Sequence, residues 1–288
     1  MYQPIFEVRY GLESMLTCRP YCLVSGPVNR FRSGFRIGCL GIPVQACNSV
    51  INLRSAFTLP HVVDAKIKKE LTLNRILGPY NFPPNVPGFR TSPLGVVQKK
   101  TPGEYRVIHH LSYPEGNSVN DFIPQQFSSV QYATVQDAIA FIKTSPATIF
   151  LGKVDIESAF RIIPVSPLDR PLLGFQWRGL FYMDAVLPMG CSSSCSIFET
   201  FSSALEWVAK QKLGVSGMVH VVDDFLILSD SFDKCASDMD AFIRLWEVRG
   251  PISTWQNTGP IHNPPILGYH TRHSEFGSSP TPRQVRQM

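Results

Sequence analysis

"VHVVDDFLILSD", residues 219–230, sets two adjacent aspartates, Asp223 and Asp224, inside a run that is otherwise almost wholly apolar. Val219, Val221, Val222, Phe225, Leu226, Ile227 and Leu228 read as buried β structure. The Val-Val and Phe-Leu pairs on either side of the acids read as the arms of a hairpin whose bend carries them. Burying an ionised carboxylate costs several kcal/mol unless it is paired or bound to a cation. Two carboxylates about 4 Å apart repel by on the order of 4 kcal/mol at a surface-like effective dielectric. A bend lets at least one of them leave the core and meet a cation.

A third acid stands upstream in "KVDIESAF", where Asp155 ends the apolar stretch "TIFLGKV". A chain turning there toward a helix projects the side chain beyond the sheet, at a strand end of the kind on which active sites are built. Magnesium prefers oxygen ligands and is usually held by one or two carboxylates together with substrate phosphates. Asp155 with Asp223 would supply that arrangement, and two metals roughly 4 Å apart can serve phosphoryl transfer. On residue chemistry alone a simpler alternative stands beside it: Asp155 caps a helix that starts at Ile156, and Asp223 and Asp224 form a polar turn.

The composition is that of an ordinary globular protein. Of 288 residues 44% are apolar and 17% charged, which argues against wholesale disorder. No apolar run approaches the roughly 20 residues that span a bilayer, so no membrane role is expected. The net charge of +5 is a mild excess, compatible with a polyanionic partner without demanding one. Seven cysteines, an odd number with no signal peptide ahead of them, fit a reducing, intracellular compartment, cytoplasm or nucleus. Cys18 and Cys22 in "CRPYC" lack a second pair at zinc-finger spacing and read as free thiols. His109 and His110 in "YRVIHHLSY" alternate faces of a strand and read as polar or packed histidines.

Residues 1–59 carry no clean period. From Asp64, "DAKIKKELTLNRILGP" places Ile67, Leu71 and Ile76 or Leu77 on a helical stripe, with Gly78 and Pro79 as its stop. In "SPLGVVQKKTPGEYRVIHHLS" two β-prone runs flank the turn-forming "KKTPGE", a hairpin with a basic tip. Beyond residue 148, strands ("TIFLGKVDI", "MVHVV", "FLILS") mix with helices ("FSSALEWVAKQ", "DKCASDMDAFIRLW"), a pattern of α+β architecture. Ile197, Phe201, Leu205 and Val208 form a core stripe, and Glu199 and Glu206 fall on what reads as a solvated face.

At this point the residues carry a likeness. "LGKVDIESAFRIIPV", "VLPMGCSSSCSIFE" and "VVDDFLIL", in that order and spacing, resemble the palm blocks of reverse transcriptases, and "SPLGVVQKKTPGEYRVIHHLSYPEGNSVNDFIP" is similar to their fingers. The wording most resembles the tyrosine-recombinase retrotransposons of the DIRS-like group, over roughly residues 50–270. The resemblance implies a right-hand polymerase fold with fingers and an antiparallel palm sheet. It also implies an RNA-directed DNA polymerase centre with two Mg2+ ions, an RNA or DNA template with primer, and deoxynucleoside triphosphates. It divides the chain into an N-terminal extension (1–59), fingers and the start of the palm (60–154), palm with catalytic hairpin (155–270) and a tail (271–288) in which the thumb is missing or incomplete.

Carried over by position, Asp155 and Asp223 resemble the metal-binding carboxylates and Asp224 the second acid of the catalytic turn. Ile156 would offer a backbone carbonyl to the metal that carries the triphosphate. Phe160 resembles the bulky residue that excludes a ribose 2′-hydroxyl. Arg106, with Lys99 or Lys100 across the turn, resembles the cations that grip the triphosphate. Pro188, Met189 and Gly190 match the loop beneath the incoming nucleotide. Two places depart from the family. Val221 stands where an aromatic is usual, and Gln256 stands where a lysine is proposed to protonate leaving pyrophosphate, which glutamine cannot do. "PPILGYHTRHSEF" is only faintly similar to the primer-grip region. A silent retroelement relic that folds as a palm and at most binds nucleic acid is the alternative to an active polymerase core. The oligomeric state is not readable from the sequence.

Overall fold

A computed structural model describes residues 30, 33–41, 50–145, 148–247 and 256–261. The expectations for Cys18, Cys22, "PPILGYHTRHSEF" and the tail from 271 onward lie outside the described residues. The chain forms two units, neither of them a consecutive stretch: one draws on residues 131–158 and 199 onward, the other on residues 25–130 and 159–198.

The first unit is built on a four-stranded antiparallel sheet. Its strands are β4 (Phe150–Asp155), β7 (Gly217–Val221), β8 (Asp224–Ser229) and β9 (Gln256–Ile261), in the order β7-β8-β4-β9. Register sets Asp155 opposite Asp224, Val154 opposite Phe225 and Lys153 opposite Leu226. Because side chains alternate along a strand, Val154 and Phe225 share one face, while Asp155, Asp224 and Lys153 share the other. Helix α5 (Phe232–Glu247) packs on the apolar face. There the rings of Phe225 and Phe242 lie 4.9 Å apart, and the Ser229 hydroxyl donates to Asp238 Oδ2 at 2.9 Å. Gly152 makes the close approach possible, since a Cβ there would overlap the Met239 sulfur. Helix α3 (Val135–Thr144) opens with a reciprocal capping box between Thr134 and Asp137.

The second unit holds helices α1 (Arg54–Thr58) and α2 (Pro60–Thr72), the hairpin β2 (Leu94–Gln98) and β3 (Tyr105–His109), and a sheet in the order β1-β6-β5. Those three strands are Ile76–Tyr80, Leu180–Asp184 and Gly174–Trp177. Val63, Ile67, Ile76, Leu94, Val96, Phe175, Trp177 and Tyr182 make its main core. The basic-tipped hairpin expected from the sequence is present, with Leu94 opposite His109 and Gln98 opposite Tyr105.

One expectation is corrected here. The helix near Asp64 begins four residues earlier, at Pro60, and ends at Thr72, so Ile76 and Leu77 lie on strand β1 and not on its stripe. Proline is suited to a first helical turn, and Asn74, at φ 54, turns the chain out of the helix before Ile76 enters the sheet. Asp64 is therefore mid-helix, where it accepts from Trp177 Nε1 at 2.8 Å and from Arg178. Helix α4 (Ser194–Lys212) buries Phe201, Leu205 and Val208 as expected, and leaves Ile197 half-buried.

Candidate active site

Three carboxylates gather at one end of the four-stranded sheet. Strand β4 delivers Asp155 as its last residue, β8 delivers Asp224 as its first, and Val222 and Asp223 make the two-residue turn from β7. The Ile156 N–H donates to the Asp223 carbonyl at 3.1 Å, which ties the exit of β4 to that turn. Burial, then Asp224, then Asp223 push the Asp155 carboxyl up from 3.8 to about 6, against a smaller opposing pull from Lys153. Lys153 Nζ lies 2.8 Å from Asp224 Oδ1, and both side chains are about half exposed.

The turn itself is strained. Val222 has φ 56, a left-handed conformation that a β-branched residue rarely adopts. Such strain persists only where neighbours over-determine it. Here helix α4 does so from two positions one turn apart: Glu199 Oε2 accepts the Val222 N–H at 3.3 Å, and the Ser202 hydroxyl donates to the Val222 carbonyl at 2.5 Å. The other Glu199 oxygen lies 3.0 Å from His220 Nε2, and His220 Nδ1 lies 2.5 Å from Glu206 Oε2. His220 also stacks on Phe225, with ring centroids 5.4 Å apart. Burial raises Glu206, yet the bonds from His220 and Lys210 outweigh it and hold the carboxyl below its ordinary range.

This corrects the solvated-face reading of Glu199 and Glu206, whose side chains are only 15% and 22% exposed. Residues 199, 202 and 206 share one stripe of α4, and His220 is two positions from Val222 on the arm of the hairpin. The i, i+3, i+7 spacing of acceptors and donor was the available signal, and it needs the histidine on a distant strand to become meaningful.

The remaining sequence-predicted residues belong to the other unit. Lys99 pairs with Glu104 at 3.0 Å across the exposed hairpin tip. Lys100 and Arg106 are exposed and have no ion-pair partner among the described residues. Phe160 is half-buried and meets Phe198 edge-on at 5.7 Å. The Met189 carbonyl accepts the His109 N–H at 3.2 Å, the Pro188 carbonyl accepts the Ser194 hydroxyl at 2.9 Å, and the Gly190 carbonyl accepts Asn120 Nδ2 at 2.8 Å. Gly190 has φ 120, and a Cβ there would overlap the His109 carbonyl oxygen, so only glycine suits the place.

Residues 97–250 match the family model of the reverse transcriptase (RNA-dependent DNA polymerase), more than half of the chain. The chain belongs to the reverse transcriptase family. Among solved structures the chain is similar to the native prototype foamy virus protease-reverse transcriptase (TM-score 0.51, 19% identity, covering 73% of this chain and 25% of that one). It is similar also to the CSH mutant of that protein (0.56, 16%, 87% and 33%) and to the foamy viral enzyme in complex with an RNA/DNA hybrid (0.51, 14%, 72% and 25%). At such identities the likeness speaks for the fold, an α+β palm and fingers. The chain spans between 25% and 33% of the length of those chains.

The donors suit a hard cation. Among the described residues no group of three or more His, Cys, Asp or Glu side chains is arranged to hold a metal by itself. Magnesium does not ask for such a cage, because substrate phosphates and waters complete its shell around one or two carboxylates. Burial, with the like charges of Asp224 and Asp223, pushes Asp155 to about 6, and a divalent ion would favour its ionised form.

Proposed function

We propose that this chain is the polymerase core of a retrotransposon of the DIRS-like, tyrosine-recombinase group. It adds deoxynucleotides to a primer on an RNA or DNA template. The observation that carries the reading is the raised Asp155 carboxyl beside Asp224 and Asp223, set where a strand end meets a strained hairpin turn. Asp155, Asp223 and Asp224, with the Ile156 carbonyl, would hold two Mg2+ ions. Held there, they would supply Lewis-acid stabilisation for attack of a primer hydroxyl on a phosphoryl group and for the departing pyrophosphate.

The chain's own residues do the rest. The clamp from Glu199 and Ser202 keeps the Asp223 turn in one conformation, so the carboxylates need not reorganise when substrate arrives. Arg106 with Lys99 or Lys100 would neutralise the triphosphate, Phe160 would bar a ribose 2′-hydroxyl, and Pro188, Met189 and Gly190 would form the floor under the base and sugar. The Cα of Gln256 on β9 is paired with that of Asp155, so the residue that resembles the family's missing lysine stands beside the acids along the sheet. An intracellular setting, cytoplasm or nucleus, suits a chain in which Cys39, Cys191, Cys195 and Cys235 are free thiols.

Primer extension on poly(rA) with dTTP and Mg2+ tests the proposal. Slow, metal-dependent extension is expected, lost in Asp223→Asn and quickened in Gln256→Lys. A general acid typically contributes about 10² to 10⁴ in rate, so the departure at 256 is expected to slow the chemistry and not to forbid it. Extension that survives Asp223→Asn, or that is absent even from Gln256→Lys, would overturn the reading.

A further inference from the structure

Arg161 follows Phe160 on the short turn Ala159–Ile162, and its guanidinium is nearly buried. Its Nε and Nη2 both reach Glu70 Oε2, at 2.9 and 2.8 Å, and Nη2 also meets Asp184 Oδ1 at 2.6 Å. Its Nη1 donates to the Leu187 carbonyl at 3.2 Å. The three acceptors belong to helix α2, to strand β6 and to the backbone just before Pro188. Asp184 in turn bonds His109 Nδ1 at 3.1 Å, and the His109 N–H donates to the Met189 carbonyl. Two further backbone bonds, from Leu187 N to the Ile163 carbonyl and from Val165 N to the Ala185 carbonyl, both 2.9 Å, lash the same two segments together. One planar fork therefore touches the segment that carries Phe160 and the segment that carries Met189 and Gly190.

A buried ion network is weak grounds for stability, because apolar residues of similar volume often replace it without loss. What a guanidinium adds is geometry: donors in a fixed plane that hold several acceptors in one mutual arrangement. We propose that Arg161 is a positioning residue that locks Phe160 and the loop of residues 187–190 in register, and so sets how strongly the enzyme rejects ribonucleotides. This deepens the polymerase reading and rests on it. A steric gate works by size, and a displacement of about 1 Å in a reacting geometry can cost up to 10²-fold. A gate that shifts relative to the loop admits the extra hydroxyl while the chemistry of the acids is left intact.

The test compares kcat/KM for dTTP and UTP on poly(rA) in the full chain as wild type, Arg161→Lys and Phe160→Ala, with thermal melting of each. Lysine keeps the charge near Glu70 and Asp184 but gathers its donors on one nitrogen at the end of a flexible stem and loses the fixed planar fork. A folded Arg161→Lys is expected to raise KM for dTTP more than it lowers kcat, and to cut the dTTP over UTP preference by about 10-fold or more, up to about 10²-fold. An unchanged preference in that folded variant, while wild type discriminates and Phe160→Ala does not, would overturn the proposal alone. A chain that incorporates no nucleotide, even with Gln256→Lys added, would overturn it together with the polymerase reading. Should Arg161→Lys fail to fold, Asp184→Asn loosens the same fork: a loss of sugar preference is again expected, and an unchanged preference in that folded variant overturns the proposal.

Discussion

Two clusters of carboxylates in this protein are treated in opposite ways. Around Arg161, every acid has a cation. Burial pushes Glu70 up, yet Arg161 and Lys66 outweigh it, and burial pushes Asp184 up, yet Arg161 and His109 outweigh it, so both carboxyls sit below their ordinary range. At the end of the four-stranded sheet the acids face one another, the nearby cation Lys153 is half exposed, and Asp155 rises to about 6. The first cluster is satisfied from within the fold. The second pairs Asp224 with an exposed lysine, sits beside a turn that is itself strained, and leaves Asp155 raised, a perturbation of the kind that gathers at functional sites.

The largest effect expected from that difference is on activity. Asp223→Asn should reduce single-nucleotide incorporation to background while the protein melts at or above the wild-type temperature. A large loss of folding stability would mean that the acids of "VVDDFL" hold the fold and are not a centre awaiting a cation. On the other side, Glu70→Gln should destabilise by about 3–5 kcal/mol, since it strips one charge from a buried pair and leaves Arg161 underpaired. Urea denaturation of the two variants side by side measures both. If Glu70→Gln costs less than Asp223→Asn, the contrast between the clusters is broken.

The pH dependence sharpens it. The folded Asp155 carboxyl is raised to about 6 from an ordinary 3.8, so below pH 4 it is protonated in both states and carries no penalty. As pH climbs from 4 to 6 the unfolded chain loses the proton first, and folding stability falls. Asp155→Asn should therefore gain on wild type in metal-free buffer as pH rises through that window, and millimolar Mg2+ should shrink the gap above pH 6. Melting curves at pH 4 and 6.5, with and without the ion, check the sign. A gap that stays flat would show that neither burial nor the neighbouring acids raise the Asp155 carboxyl.

The smallest effect concerns Val222. Asparagine tolerates left-handed backbone, and residues held there against preference cost about 1–3 kcal/mol. Val222→Asn is expected to stabilise by up to about 1 kcal/mol, with incorporation unchanged or lower. Destabilisation in urea would show that the branched side chain matters more for packing than its backbone costs.

Local sequence was enough for the acids and the arms that present them. Asp155 closes an apolar run and Asp223 with Asp224 interrupts another, and both signals depend on neighbours within a few positions, which is where strand alternation and turns are encoded. The hairpin around "KKTPGE" was legible for the same reason, and the family likeness rested on ordered blocks of such local patterns. Only the tertiary structure decided what lies behind them. The pairing of Glu70 with Arg161 spans 91 residues, and that of His109 with Asp184 spans 75. Glu199 and Glu206 look solvated until a histidine from another strand comes between them. Ile76 continued a helical period in the sequence, yet the left-handed Asn74 and the open edge of β6 drew it into a sheet. A charge in one segment carries no record of the distant partner that neutralises it. The sequence therefore determined where this protein places its acids, and the fold decided which of them a buried cation neutralises.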